Sequence, residues 1–305
     1  MYNDNLIMVN SKRECPYCRN SRVPRKTCRH CRKTGFELID ISRTWSPSAG
    51  FLVCGGPSLS KIPYQRLSER GIVSLGVNNV SGLVPISAWV YSDPHEKFHH
   101  GLFLDPNVIT FTPEVKLNKK IRIKENGKFI STNIKIKDCP NTFGFKRKTS
   151  LYPEGFLKTD YAMWGYGGKQ PEDTRPFTCL ATMLLGLRLM CYMGCKKIYI
   201  IGADFWRPEE GQYAFAQKAS CANSRYKKEN AMLASVRPAI EAEGIKVYNC
   251  NPESKCTAFE YASFDDAMKE CKGRVPDEPF DLSGWYEKNK EEEAARERRR
   301  KKRKK

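Results

Sequence analysis

The sequence predicts an α/β protein: a mostly parallel sheet with helices on both faces and an inserted β-hairpin, preceded by a small cysteine-rich module and followed by a basic tail. Three observations predict it. From about residue 50 to 270, short apolar runs alternate with helix-length amphipathic stretches, the cadence of β-α-β units. Two Cys-x2-Cys pairs sit close together near the N-terminus. The formal net charge of +19 is concentrated at the two ends of the chain.

The module comes first. "CPYCRNSRVPRKTCRHC" places Cys15, Cys18, Cys28 and Cys31 as two knuckles joined by a loop long enough to fold back. Two knuckles each present two thiolates to one tetrahedral ion, so a structural Zn2+ is expected; surface thiols and redox chemistry are the alternatives. His30 is a bystander to that spacing. A disulfide framework is not expected from the 13 cysteines, because a chain of 305 residues has enough core without one. From Ser11 to Gly35 nine Lys/Arg stand against Glu14, and the last ten residues hold nine against Glu297. The body between is nearly neutral. Two basic appendages on a neutral body point to a polyanionic partner, with DNA the expected nucleic acid, contacted through the zinc module and the tail; a solvating role is the bland alternative. The tail reads as disordered or as a lone helix. The boundaries that follow are 1–44 for the zinc module, 45–280 for the core and 281–305 for the tail.

In the core, "FLVC" (Phe51 to Cys54) reads as a strand, "GGPS" as a turn and "LSKIPYQRLSER" as a helix ended by Gly71. "IVSLGVN", "AWVYSD" and "NVITF" read as three further strands. "IRIKENGKFISTNIKIKD", near 120–138, is two alternating segments around Asn126-Gly127, a hairpin signal that interrupts the α/β rhythm. "FTCLATMLLGLRLMCYMGC" reads as an apolar helix capped by Gly194, "KKIYIIGADFW" as a buried strand and "SRYKKENAMLASVRPAIEAEG" as an amphipathic helix. "IKVYNC" closes the strands, and "SFDDAMKEC" is a short helix with Ser263 as its N-cap.

In an open parallel sheet ligands sit beyond the carboxyl ends of the strands. Gly55 and Gly56 let backbone approach a phosphate, and Pro57-Ser58 sets a turn and a hydroxyl at the mouth of the next element. The spacing is neither the dinucleotide fingerprint nor a P-loop, and an ordinary tight turn also uses two glycines. Other strand ends supply Asp93 in "YSDP", Asp204 in "IGADFW", Asn78 and Asn79 in "GVNN", and Asn251 and Ser254 in "NCNPES". Each alone is a turn former; several on one sheet edge make a site. His95, His99 and His100 form a cluster in "SDPHEKFHH" that reads as a solvated loop, a metal site or a base beside Asp93.

Taken together, "VCGGPSL", "GVNN", "YSDP", "KKIYIIGADF", "YKKENAML" and "IKVYNCNPES" resemble a superfamily that includes the bacterial sialyltransferases with a G-N-G-P-S-L turn. It also includes the motility-accessory or 6-hydroxymethylpterin diphosphokinase-like proteins. The resemblance runs from roughly Gly50 to Lys272, in order as well as content. It implies a Rossmann-like transferase core with an activated nucleotide bound at the turn: Gly55, Gly56, Pro57, Ser58 and Asn78 match the turn and the Asn after the second strand. Thr178 and Cys179 fall where the sialyltransferases have a Thr-Ser pair; Asp204, Pro252 and Ser254 match later strand ends. Where the family turn has Asn between its glycines this chain has Gly55, and "QKASCANSRYKKEN" has no histidine at the place of the family's catalytic one.

The expected activity is therefore a nucleotide-sugar-dependent, glycosyltransferase-like enzyme acting on nucleic-acid hydroxyls, such as 5-hydroxymethylpyrimidines in bacteriophage DNA. Asp93 or His95 is the expected general base, with Asp204 a further catalytic candidate. The alternatives are a diphosphokinase-like enzyme using ATP, with Mg2+ between Asp93 and Asp204, or a degenerate core that binds nucleic acid. No run nears the roughly 18 apolar residues of a membrane span, and no signal-peptide layout is present, so a cytoplasmic location without a membrane partner is expected.

Overall fold

The apolar runs of the core become strands, and they join into one sheet. The computed structural model describes residues 8–19, 25–31, 33, 35–39, 41–42, 44–45, 48–126, 128–145, 147–151, 153–157, 164–166, 177–178, 181–206, 213–215, 223–272 and 285–303. The strands are β1 (Met8–Glu14), β2 (Phe36–Ile39), β3 (Ser48–Val53), β4 (Ser74–Val77), β5 (Ala88–Val90), β6 (Ile109–Pro113), β7 (Lys120–Glu125) and β8 (Lys128–Lys135). After them come β9 (Thr142–Phe145), β10 (Arg147–Leu151), β11 (Trp164–Tyr166), β12 (Phe177–Thr178), β13 (Cys195–Ile201), β14 (Lys246–Asn249) and β15 (Glu260–Tyr261). The helices are α1 (Pro16–Arg19), α2 (Thr182–Tyr192), α3 (Asn223–Glu241), α4 (Phe264–Lys272) and α5 (Trp285–Arg303).

The main sheet has the order β15-β14-β13-β3-β4-β5-β6-β9-β1-β2. Its eight strands from β15 to β9 are parallel, and β1 and β2 add antiparallel at the β9 margin. This is the expected α/β, Rossmann-like architecture with a small N-terminal four-cysteine cluster. Side chains alternate across the sheet: Leu52, Leu75, Val77, Ile198 and Ile200 pack with α2 and α3, while Phe51, Val53, Tyr199 and Ile201 pack with α4, Leu59 and Leu67. Burial on both faces is why these strands read as continuous apolar runs. α2 is buried almost throughout.

Three expectations shift. The helix read across "LSKIPYQRLSER" is two 3-10 turns, Pro57–Lys61 and Tyr64–Ser68. Pro63 between them has no N–H and its ring excludes a helical neighbour, so neither turn extends into the other. The apolar helix starts at Thr182, and Phe177–Thr178 instead pairs with β10 in a small sheet with β11. The β1 strand, from within the cysteine-rich module, is paired to β9 through Val9 with Gly144 and Asn10 with Phe143.

The hairpin forms as β7 and β8, with Asn126 in the left-handed region at φ 49°. Gly127 lies outside the described residues. Ser263 caps α4, its Oγ accepting from the Asp266 amide at 3.1 Å. The chain divides into one unit over Met1–Lys272 and another over Gly273–Lys305, and the latter contains α5, an exposed helix. Among the described residues, no helix is long and apolar enough to cross a membrane.

Candidate functional site

β3 is the first strand of the core in the chain, yet it lies in the middle of the sheet. Its chain continues outward through β4, β5 and β6, whereas β13, β14 and β15 build the other half. The strand order therefore reverses between β3 and β13, and a crevice opens beyond their carboxyl ends, where such sheets bind ligands. A cavity of about 360 Å3 occupies that place, lined by Gly55–Pro57 after β3, Asn78 after β4, Asp93 after β5, Asp204 after β13 and the start of α2.

The turn after β3 is packed from within. The Gly56 amide donates to the Gly202 carbonyl at 2.7 Å, and the Ser58 amide donates to Asp204 Oδ2 at 3.2 Å. A Cβ on Gly56 would stand 2.0 Å from Asp204 Oδ2 and 2.5 Å from the Gly202 oxygen, so glycine here serves a close approach of two strand ends. Of the Gly55 and Gly56 amides expected to hold a phosphate, that of Gly56 is thus spent on the protein, as is the Ser58 N–H. The second Asp204 oxygen accepts from Asn251 Nδ2 at 2.8 Å. Burial raises the Asp204 pKa, against the lowering effect of Ser58 and Lys61. Gly55 faces a strap: the Ala214 amide donates to its carbonyl, and a Cβ on it would meet the Phe215 ring at 2.8 Å. The ring occupies the space where an Asn side chain would extend.

The opposite wall is built on the start of α2. Ala181, the N-cap residue, offers no side-chain cap, and Ala181, Thr182 and Met183 at the start of this 11-residue helix line the cavity. Asn78, at φ 53°, donates from Nδ2 to Thr182 Oγ1 at 3.2 Å, and its Oδ1 accepts from the Ser92 amide. Ser92 Oγ lies 2.7 Å from Thr182 Oγ1, which ties the ends of β4 and β5 to the helix. Phe205 also adopts a positive φ, 54°, at the end of β13. Two non-glycine residues in this region on one cavity are a local strain of the kind that clusters at functional sites.

Besides Asp204, charge comes from four side chains. Asp93 is half exposed and pairs with Lys97 at 3.4 Å. Arg225 Nε donates to Glu229 Oε1 at 2.8 Å on the first turns of α3, and burial raises the Glu229 pKa against the opposing effect of Arg225. Aromatic rings close the remaining side: Trp206 is half exposed, and Tyr213 and Phe215 stack with centroids 5.4 Å apart. Sequence reasoning missed Thr182, Arg225, Glu229, Trp206, Tyr213 and Phe215. The uncapped start of an apolar helix was the available signal for Thr182, one turn beyond the expected Thr178.

Not every expected residue arrives at the cavity. His95 is buried, with Nε2 donating to the Lys120 carbonyl at 3.3 Å and Nδ1 3.1 Å from Glu96. It is committed to β7 and does not line the cavity. The loop expected to be solvated is so only in part: His99 is exposed, whereas His100 is buried, its Nε2 donates to the His95 carbonyl at 3.0 Å, and its Nδ1 accepts the Arg122 amide. Ser254 Oγ donates to the Ala203 carbonyl at 2.7 Å, bracing the end of β13 from outside the cavity. Thr178 lies in β12, and Cys179 is outside the described residues.

The four cysteines converge as their spacing predicts. All four Sγ atoms lie within 4.8 Å of one another, with Cys15 to Cys28 at 4.0 Å and Cys18 to Cys31 at 3.5 Å. A tetrahedron of sulfurs about 2.3 Å from an ion has edges of about 3.8 Å, between those two values. The Gly35 amide donates to Cys31 Sγ at 3.3 Å. This cluster could hold a metal ion such as zinc.

Compared with family models, curated proteins and solved structures, the chain gives no match in any of the three.

Proposed function

We propose that the chain is a nucleotide-sugar-dependent glycosyltransferase-like enzyme whose acceptor is a hydroxyl on nucleic acid, with 5-hydroxymethylpyrimidine DNA the acceptor class we favour. One observation carries the reading: a single cavity at the switch point of the sheet joins the uncapped start of α2 and Arg225 to the carboxylates Asp93 and Glu229. Helix amides and a guanidinium suit the phosphates of a donor. Carboxylates suit the hydroxyls of a sugar, being acceptors only when ionised. The resemblance of the core motifs to nucleotide-using transferases supports the same reading.

In this mechanism Asp93 takes the proton of the acceptor hydroxyl as its oxygen forms a bond to the anomeric carbon. The bond from that carbon to the donor phosphate breaks, and the nucleotide leaves with the electron pair, its charge met by the α2 amides and Arg225. Asp204 acts indirectly, by holding the Ser58 and Asn251 amides that shape the cavity. In the N-terminal module Cys15, Cys18, Cys28 and Cys31 would hold a structural zinc, which would supply folding energy to a lobe with little core of its own. The basic residues of that module and of the tail hold the polyanion.

The test is to incubate the full chain with UDP-, GDP- and CMP-sugars and hydroxymethylated duplex DNA, then read nucleoside masses after digestion. A sugar mass that disappears with Asp93→Asn supports the proposal. No added mass across the panel, together with no thermal stabilisation by any of these nucleotides, overturns it; stabilisation by ATP alone moves the reading to phosphoryl transfer.

A further inference from the structure

The β7–β8 ribbon is an exposed feature that the cavity does not explain. From Lys119 to Lys137 it carries seven basic residues, Lys119, Lys120, Arg122, Lys124, Lys128, Lys135 and Lys137, against the single acid Glu125. Among the described residues, β7 and β8 pair with each other and with no third strand. Of the ribbon's apolar side chains Ile121 is buried at the root, whereas Phe129, Ile130 and Ile134 are 64%, 45% and 39% exposed. Arg122 lies over the Phe129 ring at 5.8 Å, so a cation and an aromatic face are presented together near the tip. Lys120 stands directly opposite Lys135 across the strands. Like charges in that position repel each other, and the arrangement becomes favourable when an anion lies against them.

The ribbon is also joined to the rest of the molecule in a telling way. Its first strand is held by His95 and His100 from the same loop that sends Asp93 and Lys97 to the cavity. Lys116, before the ribbon, donates to the carbonyls of Ser92 and Asp93. At the other foot Lys137 shares the Phe36 ring with Arg25 of the cysteine-rich module, so one basic surface runs from the module on to the ribbon.

We infer that the β7–β8 ribbon is a duplex-DNA contact that enters the major groove, with the four-cysteine module lying on the adjoining phosphate backbone. A two-stranded ribbon fits the roughly 12 Å width of that groove in B-form DNA. The eight residues of β8 span about 26 Å at about 3.3 Å per residue, several base pairs of contact. Lysines on the ribbon neutralise phosphates, and Phe129, on the face it shares with Arg122, meets apolar base edges such as the thymine methyl. An RNA duplex is excluded by its deep, narrow major groove, which side chains cannot read. This extends the nucleic-acid part of the proposed function, and its test reads binding alone, so a failed transfer assay leaves it standing.

The experiment is fluorescence anisotropy of the full chain with a labelled DNA duplex, repeated over a range of salt, with the RNA duplex of the same sequence as comparison. Lys120→Gln combined with Lys128→Gln is expected to weaken DNA binding at least ten-fold and to flatten the slope of log K against log salt by about two, near 0.9 per phosphate contact. Phe129→Ala removes no charge and is expected to keep the slope while reducing the preference for DNA over RNA. Methylation of guanine N7, which faces the major groove, is expected to interfere with wild-type binding. Thermal unfolding of each variant confirms that the fold is retained. Wild-type affinity and slope in the lysine variant, equal affinity for the RNA duplex, or indifference to N7 methylation would each overturn the inference.

Discussion

Two segments of the cavity invite comparison: the turn after β3 and the start of α2. The turn has the more conspicuous sequence, two glycines, a proline and a serine, yet its Gly56 and Ser58 amides are bound to Gly202 and Asp204. The start of α2 has an inconspicuous sequence, "ATM", yet it lines the cavity and has no side-chain cap. Glycine marks where backbone must pass close to something, and the something here is another strand end. Availability of N–H groups, which a ligand requires, depends on where the neighbours are.

If the comparison holds, damage to the turn is a stability effect and damage around α2 is a binding effect. The largest change is expected from Gly56→Ala, whose Cβ would overlap Asp204 and Gly202; it should cost about 3 kcal/mol of unfolding free energy, read from urea melts. Asp204→Ala should cost about 2 kcal/mol, because it leaves the Ser58 and Asn251 amides without an ionised acceptor. Thr182→Ala loosens Asn78 and Ser92 and should cost about 1 kcal/mol, with weaker nucleotide binding as well. Arg225→Gln should leave stability within about 0.5 kcal/mol and lower nucleotide affinity about ten-fold, measured by calorimetry. A large loss of stability in the last variant, or none in the first, would break the comparison.

The dependence on pH sharpens it further. Burial raises the Asp204 and Glu229 pKa values, so the folded chain holds more protons than the unfolded one just above the ordinary carboxyl range of about 4. Their contribution to stability therefore falls as pH rises through that window. Burial lowers the His95 and His100 pKa values, reinforced by Lys116 and Arg122 beside His95 and by His95 and Arg122 beside His100, against the opposing pull of Glu96. There the unfolded chain takes up protons first, so stability falls as pH drops below about 6.5 and levels off once the folded chain is protonated. A protonated His100 Nδ1 cannot accept the Arg122 amide, so exchange protection of that amide should be lost in the same range.

Much of the fold was legible because parallel strands buried on both faces leave uninterrupted apolar runs: "FLV", "SLGV", "AWV" and "IYII" all became core strands. The error at "LSKIPYQRLSER" came from letting an amphipathic pattern outweigh Pro63. Metal-ligand spacing is local, which is why the convergence of the four cysteines was legible. Pairing of β1 with β9 joins residues more than 130 positions apart, and no local pattern encodes it. For the same reason Asp93, Asn78 and Asp204 were found at their strand ends, whereas Arg225, Glu229 and the Tyr213–Phe215 strap depend on how α3 and a distant segment fold back. His95 was misjudged because a histidine in a polar loop gives no sign of what will bury it.

The pairing of β1 and β2 onto β9 has a bearing on how the protein must be handled. A ten-stranded sheet has two margins, and each is closed by a short strand: β15 with two residues, β2 with four. The second margin is contributed by the segment that the cysteine cluster ties together. Stripping a metal from those thiols would release β1 and lay bare β9, whose open row of backbone groups is a template for pairing between molecules. Chelation should therefore register as concentration-dependent light scattering before any loss of helical signal, and preparations kept in zinc should stay monodisperse.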